Sequence, residues 1–264
     1  YSLLGMKKTN PKIAYASVLF GKTPEDTFQI AKDLKGKNFQ AIKFGWENFG
    51  IDLKKDEEHL IAARDAMENE LELMIDVGAI WGTDVEEAKK RFKIFRDANI
   101  TWLEEPFYSD AFYEYSELYN KTNLPLAGGE SCHSIESAKN MIRFGKVKFI
   151  QIDAGIAGGI LAGKEICDFA ERNNVQYVNH TFTSHLQLSS SLQPYANSIK
   201  SKFSEFPQQL KSLAWDLTEN HISMDENGCI NIPDGVGHGM KINQKALDEY
   251  NVDVEIFVNK EKLF

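Results

Sequence analysis

Seven ionisable residues in this 264-residue chain share one kind of neighbourhood. Lys43, Asp76, Glu104, Glu130, Asp153, His180 and Glu205 each stand within or just after a short apolar run, at successive intervals of 33, 28, 26, 23, 27 and 25 residues. Asp76, Glu104 and Glu130 are hard oxygen donors. Without cysteine or several histidines among them they select a hard dication, Mg²⁺ before others. Asp153 and His180 can form a pair in which the carboxylate orients the imidazole and raises its basicity. Lys43 offers a cation. A dication, an ammonium and a His–Asp pair around one cavity suit removal of a proton α to a carboxylate. The two cations would stabilise the enediolate and His180 would take the proton.

Such a set works only if the chain brings it together. Residues 71–107 show how it does so. An apolar run ends in Asp76, a second ends in Glu104, and between them Val85, Ala88, Phe92, Phe95 and Ala98 have helical spacing, predicting a helix over 84–99. A right-handed crossover makes the two strands parallel neighbours, so both carboxylates emerge at one edge of a sheet. The same alternation runs along the chain. Strands are expected at 13–20, 39–44, 71–76, 100–104, 124–127, 147–152, 175–179 and 203–206, with helices at 23–35, 56–69, 84–99, 111–120, 134–144, 158–173 and 186–198.

Eight strands and one strand-end polar group per unit match a (β/α) barrel, whose period is about 31 residues and whose C-terminal strand ends form the active rim. A doubly wound open sheet is the alternative, but its ligand groups cluster at one switch point. The expected fold class is therefore α/β, a TIM-type barrel. Residues 1–264 read as one barrel domain with an irregular C-terminal segment from about 207. That segment carries a hairpin around 225–228 and a Gly-rich stretch at 233–239.

Hydrophobic residues at 42% and charged residues at 26% give an ordinary globular balance. A formal charge of −9 argues against nucleic acid or an anionic membrane as partner. Three cysteines without paired spacing (Cys132, Cys167, Cys229) fit a reducing compartment. With no apolar run of membrane-spanning length and no signal-peptide pattern, the expected location is cytoplasmic.

Each residue also has a plainer reading. An acid after a strand is commonly a helix cap. Glu104-Glu105-Pro106 could be a solvated strand exit, Asp153 a turn residue, and His180 or His185 a satisfied core histidine. His133 follows Glu130 and competes as a site residue. Trp46, Trp81 and Trp102 are more often packing than a substrate platform. The Gly pairs at 128–129 and 158–159 lack dinucleotide or P-loop spacing. What outweighs these readings is the recurrence of seven groups on one face.

Asp76 in LMIDVG, Glu104 in WLEEPF, Glu130 in LPLAGGES, Asp153 in FIQIDAGIAGG and His180 in YVNHTFTSH resemble the barrel of the enolase superfamily. The likeness is to its mandelate racemase/muconate lactonizing branch, and the His–Asp pair points to the mandelate racemase subgroup. The resemblance covers nearly the whole chain. It implies the modified (β/α)7β barrel and Mg²⁺ held by Asp76, Glu104 and Glu130. It further implies His180 with Asp153 as general base, and Glu205 in FSEFP as the acid that hydrogen-bonds the substrate carboxylate or enediolate. Lys43 in AIKFGW matches the first lysine of the family's Lys-x-Lys pair, and Gly45 stands where the second would be.

A two-base racemase needs a base on each face of the substrate, whereas dehydration needs one. The expectation is a hydro-lyase acting on a small carboxylate, an acid sugar, to give a 2-keto-3-deoxy acid. The alternatives are a racemase or epimerase, a cycloisomerase, or an inactive barrel scaffold. Trp46, Trp81, His133 and His185 are candidate substrate contacts, and loops 46–50 and 80–83 candidate specificity elements. Relatives suggest a homo-oligomer. They also carry an N-terminal α+β capping domain, whereas here the barrel pattern begins almost at once after Tyr1, so the cap is expected to be missing from this sequence.

Overall fold

A computed structural model describes residues 1–47, 49–208, 210–255, 257–259 and 261–262. Eight parallel strands alternate with helices: β1 (Lys12–Leu19), β2 (Ala41–Gly45), β3 (Glu72–Asp76), β4 (Ile100–Glu104), β5 (Leu126–Gly128), β6 (Phe149–Ile152), β7 (Gln176–Asn179) and β8 (Phe203–Pro207). Their order in the sheet is β7-β6-β5-β4-β3-β2-β1-β8, so each strand lies beside its sequence neighbour and β8 returns to β1. This is the nearly closed α/β barrel of TIM type that the alternation predicts.

Helices α1 (Pro24–Lys35), α2 (Leu53–Met67), α3 (Val85–Lys90), α4 (Phe92–Asp97), α5 (Phe112–Thr122), α6 (Ile135–Phe144), α7 (Ala154–Ala157), α8 (Ile160–Arg172) and α9 (His185–Leu192) fill the connections. Their starts follow local chemistry. Thr23 and Asp26 form a reciprocal capping box on α1 with Pro24 in the first turn, and Ser134 caps α6. Beyond β8 come α10 (Ser212–Asp216), a turn at Asp225–Gly228, the short strand β9 (Cys229–Ile230) antiparallel to the start of β1, and α11 (Gln244–Tyr250). Among the described residues no helix is long and apolar enough to cross a membrane.

Two helices depart from the sequence expectation for visible reasons. The helix expected over 84–99 breaks at Arg91. The Arg91 guanidinium donates to the Glu87 carbonyl at 3.0 Å, and its own N–H turns to Ala88 O at 3.1 Å, one residue short of the helical partner. The guanidinium is fully buried, paired with Asp56 at 2.6 Å and donating to Gly50 O at 2.8 Å. It thus fixes the loop between β2 and α2, in which Asn48 lies outside the described residues. The helix expected over 186–198 stops at Leu192, where Pro194 tightens the chain into a 3₁₀ turn.

Inside the barrel, Tyr15, Met74, Trp102, Phe149, Val178 and Phe203 form a separate buried cluster. Trp102 is its centre, with ring centroids 5.6, 4.7 and 5.7 Å from Tyr15, Phe149 and Phe203. The residues two positions further along several of these strands are Lys43, Asp76, Glu104 and Glu205, because side chains alternate faces along a strand. An apolar plug therefore forms the floor on which the polar set stands.

Backbone ladder bonds do not join β7 to β8 among the described residues. A side-chain amide takes their place. Asn179 Oδ1 accepts from Glu205 N at 3.0 Å, and Nδ2 donates to Glu205 O at 3.4 Å. The Tyr195 hydroxyl reaches the same Oδ1 at 2.8 Å but also has Phe203 O at 3.1 Å. Asn179→Leu should therefore orphan the Glu205 N–H while sparing the tyrosine. The expected destabilisation in urea unfolding is about 1–3 kcal/mol. A loss well below 1 kcal/mol would mean the seam closes by other contacts.

Candidate active site

Asp76 ends β3, Glu104 ends β4, and Glu130 lies two residues past β5. Their carboxylate oxygens come within 4.8 Å of one another. Gly129 makes this approach possible. Its φ is +118°, and a Cβ there would meet Ile150 Cδ1 at 2.7 Å and Gln151 O at 3.0 Å. Lys43, projecting from the middle of β2, faces three of the acids. Its Nζ is 2.5 Å from Glu104 Oε1, 2.9 Å from Glu205 Oε1 and 3.7 Å from Asp76 Oδ2. The remaining oxygens are held from behind: Glu104 Oε2 by Trp102 Nε1 at 2.9 Å, Asp76 Oδ1 by Gly78 N at 2.9 Å, and Glu205 Oε2 by Thr181 N at 2.7 Å.

Across the mouth, Asp153 follows β6 and His180 follows β7, with His180 Nδ1 3.0 Å from Asp153 Oδ2. His180 Nε2 faces Glu130 at 3.5 Å. Asp153 is also the cap of α7, accepting from Gly155 N and Ile156 N, so the plain reading and the chemical one hold together. Lys43, Gly45, Asp76, Glu130, His180 and Glu205 face one cavity of about 280 Å³. Trp46 and Phe182, both more than half exposed, stand at its edge.

The electrostatics follow from burial and sign. Burial and the neighbouring carboxylates raise Asp76 well above the usual carboxylate range. Burial also raises Glu130, against the opposing charge of His180. Glu105, the second acid of the pair after β4, is pushed up to about 9 by burial and then by Glu130, Asp76 and Glu104. Burial works against the charged form of His180, but the hydrogen bond to Asp153 and the charges of Glu205 and Glu130 raise it to about 9. Burial likewise opposes the Lys43 ammonium, and Glu104 and Glu205 overcome it. The pocket holds more negative charge than its cations neutralise. Three converging hard oxygens in that surplus fit a dication such as Mg²⁺.

Three of the four candidate substrate contacts are not brought to this cavity. Trp81 is buried, donates from Nε1 to Gly50 O at 2.9 Å and packs beside Arg91, so it supports a loop instead of meeting a ligand. His133 is exposed on the segment after β5 and is not among the cavity-lining residues. His185 is buried at the start of α9 in the wall of a different cavity. Its Nδ1 accepts from Ile222 N at 3.1 Å, and its ring meets Trp215 and His221 edge-on, at 5.0 Å each. Burial, then His221, lowers it to about 4, the mark of a neutral core histidine.

Four groups that do support the site escape a reading by residue type: Glu105, the Trp102 indole N–H, the Thr181 amide and Gln187. Gln187 donates to both oxygens of Asp153 at 2.7 Å. Only the doubled acid at 104–105 leaves a visible trace in the sequence.

The family model for enolase C-terminal domain-like proteins matches residues 27–246. D-gluconate dehydratase of Thermoproteus tenax is 26% identical across 100% of this chain and 54% of its own length. D-galactarolactone cycloisomerase of Agrobacterium fabrum is 26% identical over 95% of this chain and 68% of its own. The solved structure of a predicted mandelate racemase from Rhodobacter sphaeroides is similar at TM-score 0.93 and 38% identity, covering 100% of this chain and 68% of that one. The chain thus spans about half to two thirds of the length of these proteins.

The charge surplus yields a test. In thermal unfolding, Mg²⁺ should raise the midpoint of the native chain by binding the folded form. Asp76→Ala should show no such rise, and without metal it should unfold no earlier than the native chain, because a crowded buried carboxyl has gone. A Mg²⁺-dependent rise that survives in Asp76→Ala would overturn the ligand set.

Proposed function

The chain belongs to the enolase C-terminal domain-like family, and from that premise we propose that it forms the barrel of a Mg²⁺-dependent acid-sugar dehydratase. The substrate would be a polyhydroxy carboxylate and the product a 2-keto-3-deoxy acid. Asp76, Glu104 and Glu130 would hold the Mg²⁺, which when bound supplies the charge that acidifies the α-carbon of a carboxylate substrate. His180 Nε2 takes the α-proton. Asp153 keeps the proton of the imidazole on Nδ1 and steadies the imidazolium that forms. Lys43 presents a buried ammonium beside the carboxylate end of the cavity, and Glu205 contributes the acid next to it. As the C–O bond at the β-carbon breaks, the imidazolium returns its proton to the departing hydroxyl, so water leaves and an enol remains that tautomerises to the keto acid.

The observation that supports this reading is that, among the described residues lining the cavity, His180 is the one imidazole. Among the described residues, its ionisable lining consists of Lys43, Asp76, Glu130, His180 and Glu205. The three acids belong to the metal cluster or to the Lys43 ion pairs, and Lys43 is committed to Glu104 and Glu205. On β2, two residues beyond Lys43, stands Gly45. The dehydratase relative supports the same direction. A cycloisomerase is the second reading, supported by the similarity to D-galactarolactone cycloisomerase.

Incubating the chain with Mg²⁺ and a panel of acid sugars should release a semicarbazide-reactive keto acid. Solvent deuterium appearing at the α-carbon with no keto acid would instead favour the isomerase reading. No exchange from a folded, Mg²⁺-binding chain would leave a scaffold. His180→Asn should abolish exchange at least about 100-fold while Mg²⁺ affinity stays within about two-fold; exchange that persists would sink the base assignment.

Position 45 gives an independent check. A Cβ there would sit 3.4 Å from Leu19 Cδ2 and 3.6 Å from Val18 O, an ordinary contact. Gly45→Lys should therefore fold and add a second proton-transfer group. Recovered substrate should then contain the C2 epimer by NMR, where the native chain yields none. A native chain that already epimerises would refute the one-base reading.

A further inference from the structure

Asp153 can direct His180 only if its own carboxylate is held in one orientation. Two backbone donors, Gly155 N at 2.8 Å and Ile156 N at 3.3 Å, both go to Oδ1. Neither touches Oδ2, the oxygen that faces His180 Nδ1 at 3.0 Å. The Gln187 amide does. Its Nε2 lies 2.7 Å from Oδ1 and 2.7 Å from Oδ2, so one NH₂ group straddles the carboxylate. Thr183 Oγ1 makes a close contact with Gln187 Oε1, donating its hydroxyl proton there. The carboxylate fixes which end of the amide points at Asp153, since the reverse orientation would set an amide oxygen against it.

The surroundings are fitted to this contact. A Cβ at Gly155 would come within 3.1 Å of Asp153 Oδ1 and 3.6 Å of Gln187 Nε2, crowding the pair. Gln187 sits in the first turn of α9, its N–H accepted by the cap residue Ser184. The loop that leads there also carries His180 and the Thr181 amide that holds Glu205. A neutral donor is chemically apt. It orients a carboxylate without neutralising the charge that must stabilise an imidazolium, which a lysine or arginine would do.

We infer that Gln187 is the positioning residue of the base: it locks Asp153, and through Asp153 the tautomer and direction of the His180 ring. The functional part of this inference rests on the proposed role of His180, whereas the geometric part does not. Histidine-labelled, Mg²⁺-loaded protein should show a sharp low-field Nδ1 proton from His180, assigned by its loss in His180→Asn. Gln187→Met keeps the volume and removes the donors, and Gln187→Asn draws the amide back by one methylene. Both should broaden or abolish that resonance with Mg²⁺ affinity unchanged. On whichever acid sugar is turned over, kcat should fall about 10- to 100-fold, the range typical of lost outer-shell partners, with KM within two-fold.

A packing role would be restored by methionine, so a native resonance in Gln187→Met overturns the inference, as does the absence of that resonance from the native chain. A lost resonance with unchanged turnover overturns it too. Should His180→Asn retain exchange, the base assignment falls, yet the resonance comparison still decides whether Gln187 holds the pair.

Discussion

One buried ammonium faces more carboxylates than it can neutralise, and the rest of the mouth is arranged around that imbalance. Lys43 contacts Glu104, Glu205 and Asp76, while Glu130 and Glu105 add carboxyl groups that it does not contact. Taking such groups out of water costs several kcal/mol per ion unless each finds partners. The structure supplies partners where it can, from Trp102 for Glu104 and Thr181 N–H for Glu205. What it cannot pair it tends to protonate, as the rise of Glu105 to about 9 records. A dication among Asp76, Glu104 and Glu130 would remove the surplus that protonation otherwise absorbs. Metal affinity and unfavourable charge crowding are thus two aspects of one arrangement.

The barrel makes this tolerable by separating layers. Aromatic and aliphatic side chains fill the interior below, and the polar set begins one strand alternation higher. Trp102 spans the boundary, its rings packed among Tyr15, Phe149 and Phe203 and its N–H directed at Glu104. On the far side, β7 and β8 approach without a ladder among the described residues. That gap leaves backbone groups of Glu205 for Asn179 to hold, and it frees the segment after β7 to carry His180, Thr181 and Gln187 to their separate tasks. The seam of the barrel is therefore where the His180–Asp153 pair and its supports are assembled.

The sequence made some of this legible and hid the rest for a physical reason. Strand-end polar groups announce themselves because a barrel repeats its unit, so Asp76, Glu104, Asp153 and His180 recur in register with the apolar runs. Direction is another matter. Nothing in the types of Trp81 and His185 says that one ring turns inward beneath a loop and the other into a second cavity behind α9. Gln187 reads as an ordinary polar residue on a helix, and Asn179 as a strand end, because their roles depend on long-range partners 34 and 26 residues away. The helix break at Arg91 has the same origin: a tertiary ion pair with Asp56 outweighs a helical pattern.

The asymmetry of the finished site constrains the chemistry more than its inventory does. Proton-transfer capacity lies on the β6–β7 side, in His180 and Asp153, while the β2 side offers only Lys43, already engaged, and Gly45. The glycine is not forced by crowding, since a Cβ would fit there. Its consequence is chemical: among the described residues lining the cavity, Lys43 is the one lysine. If His180 both takes the α-proton and returns it to the leaving hydroxyl, the two groups must lie on the same side of the forming double bond. Within reach of one imidazole, an acid sugar with its C2 proton and C3 hydroxyl presented to that face can lose water, whereas its C3 epimer presents the wrong group. Under the proposed dehydration, a single base would thus impose stereochemical choice on elimination without any contact dedicated to that purpose.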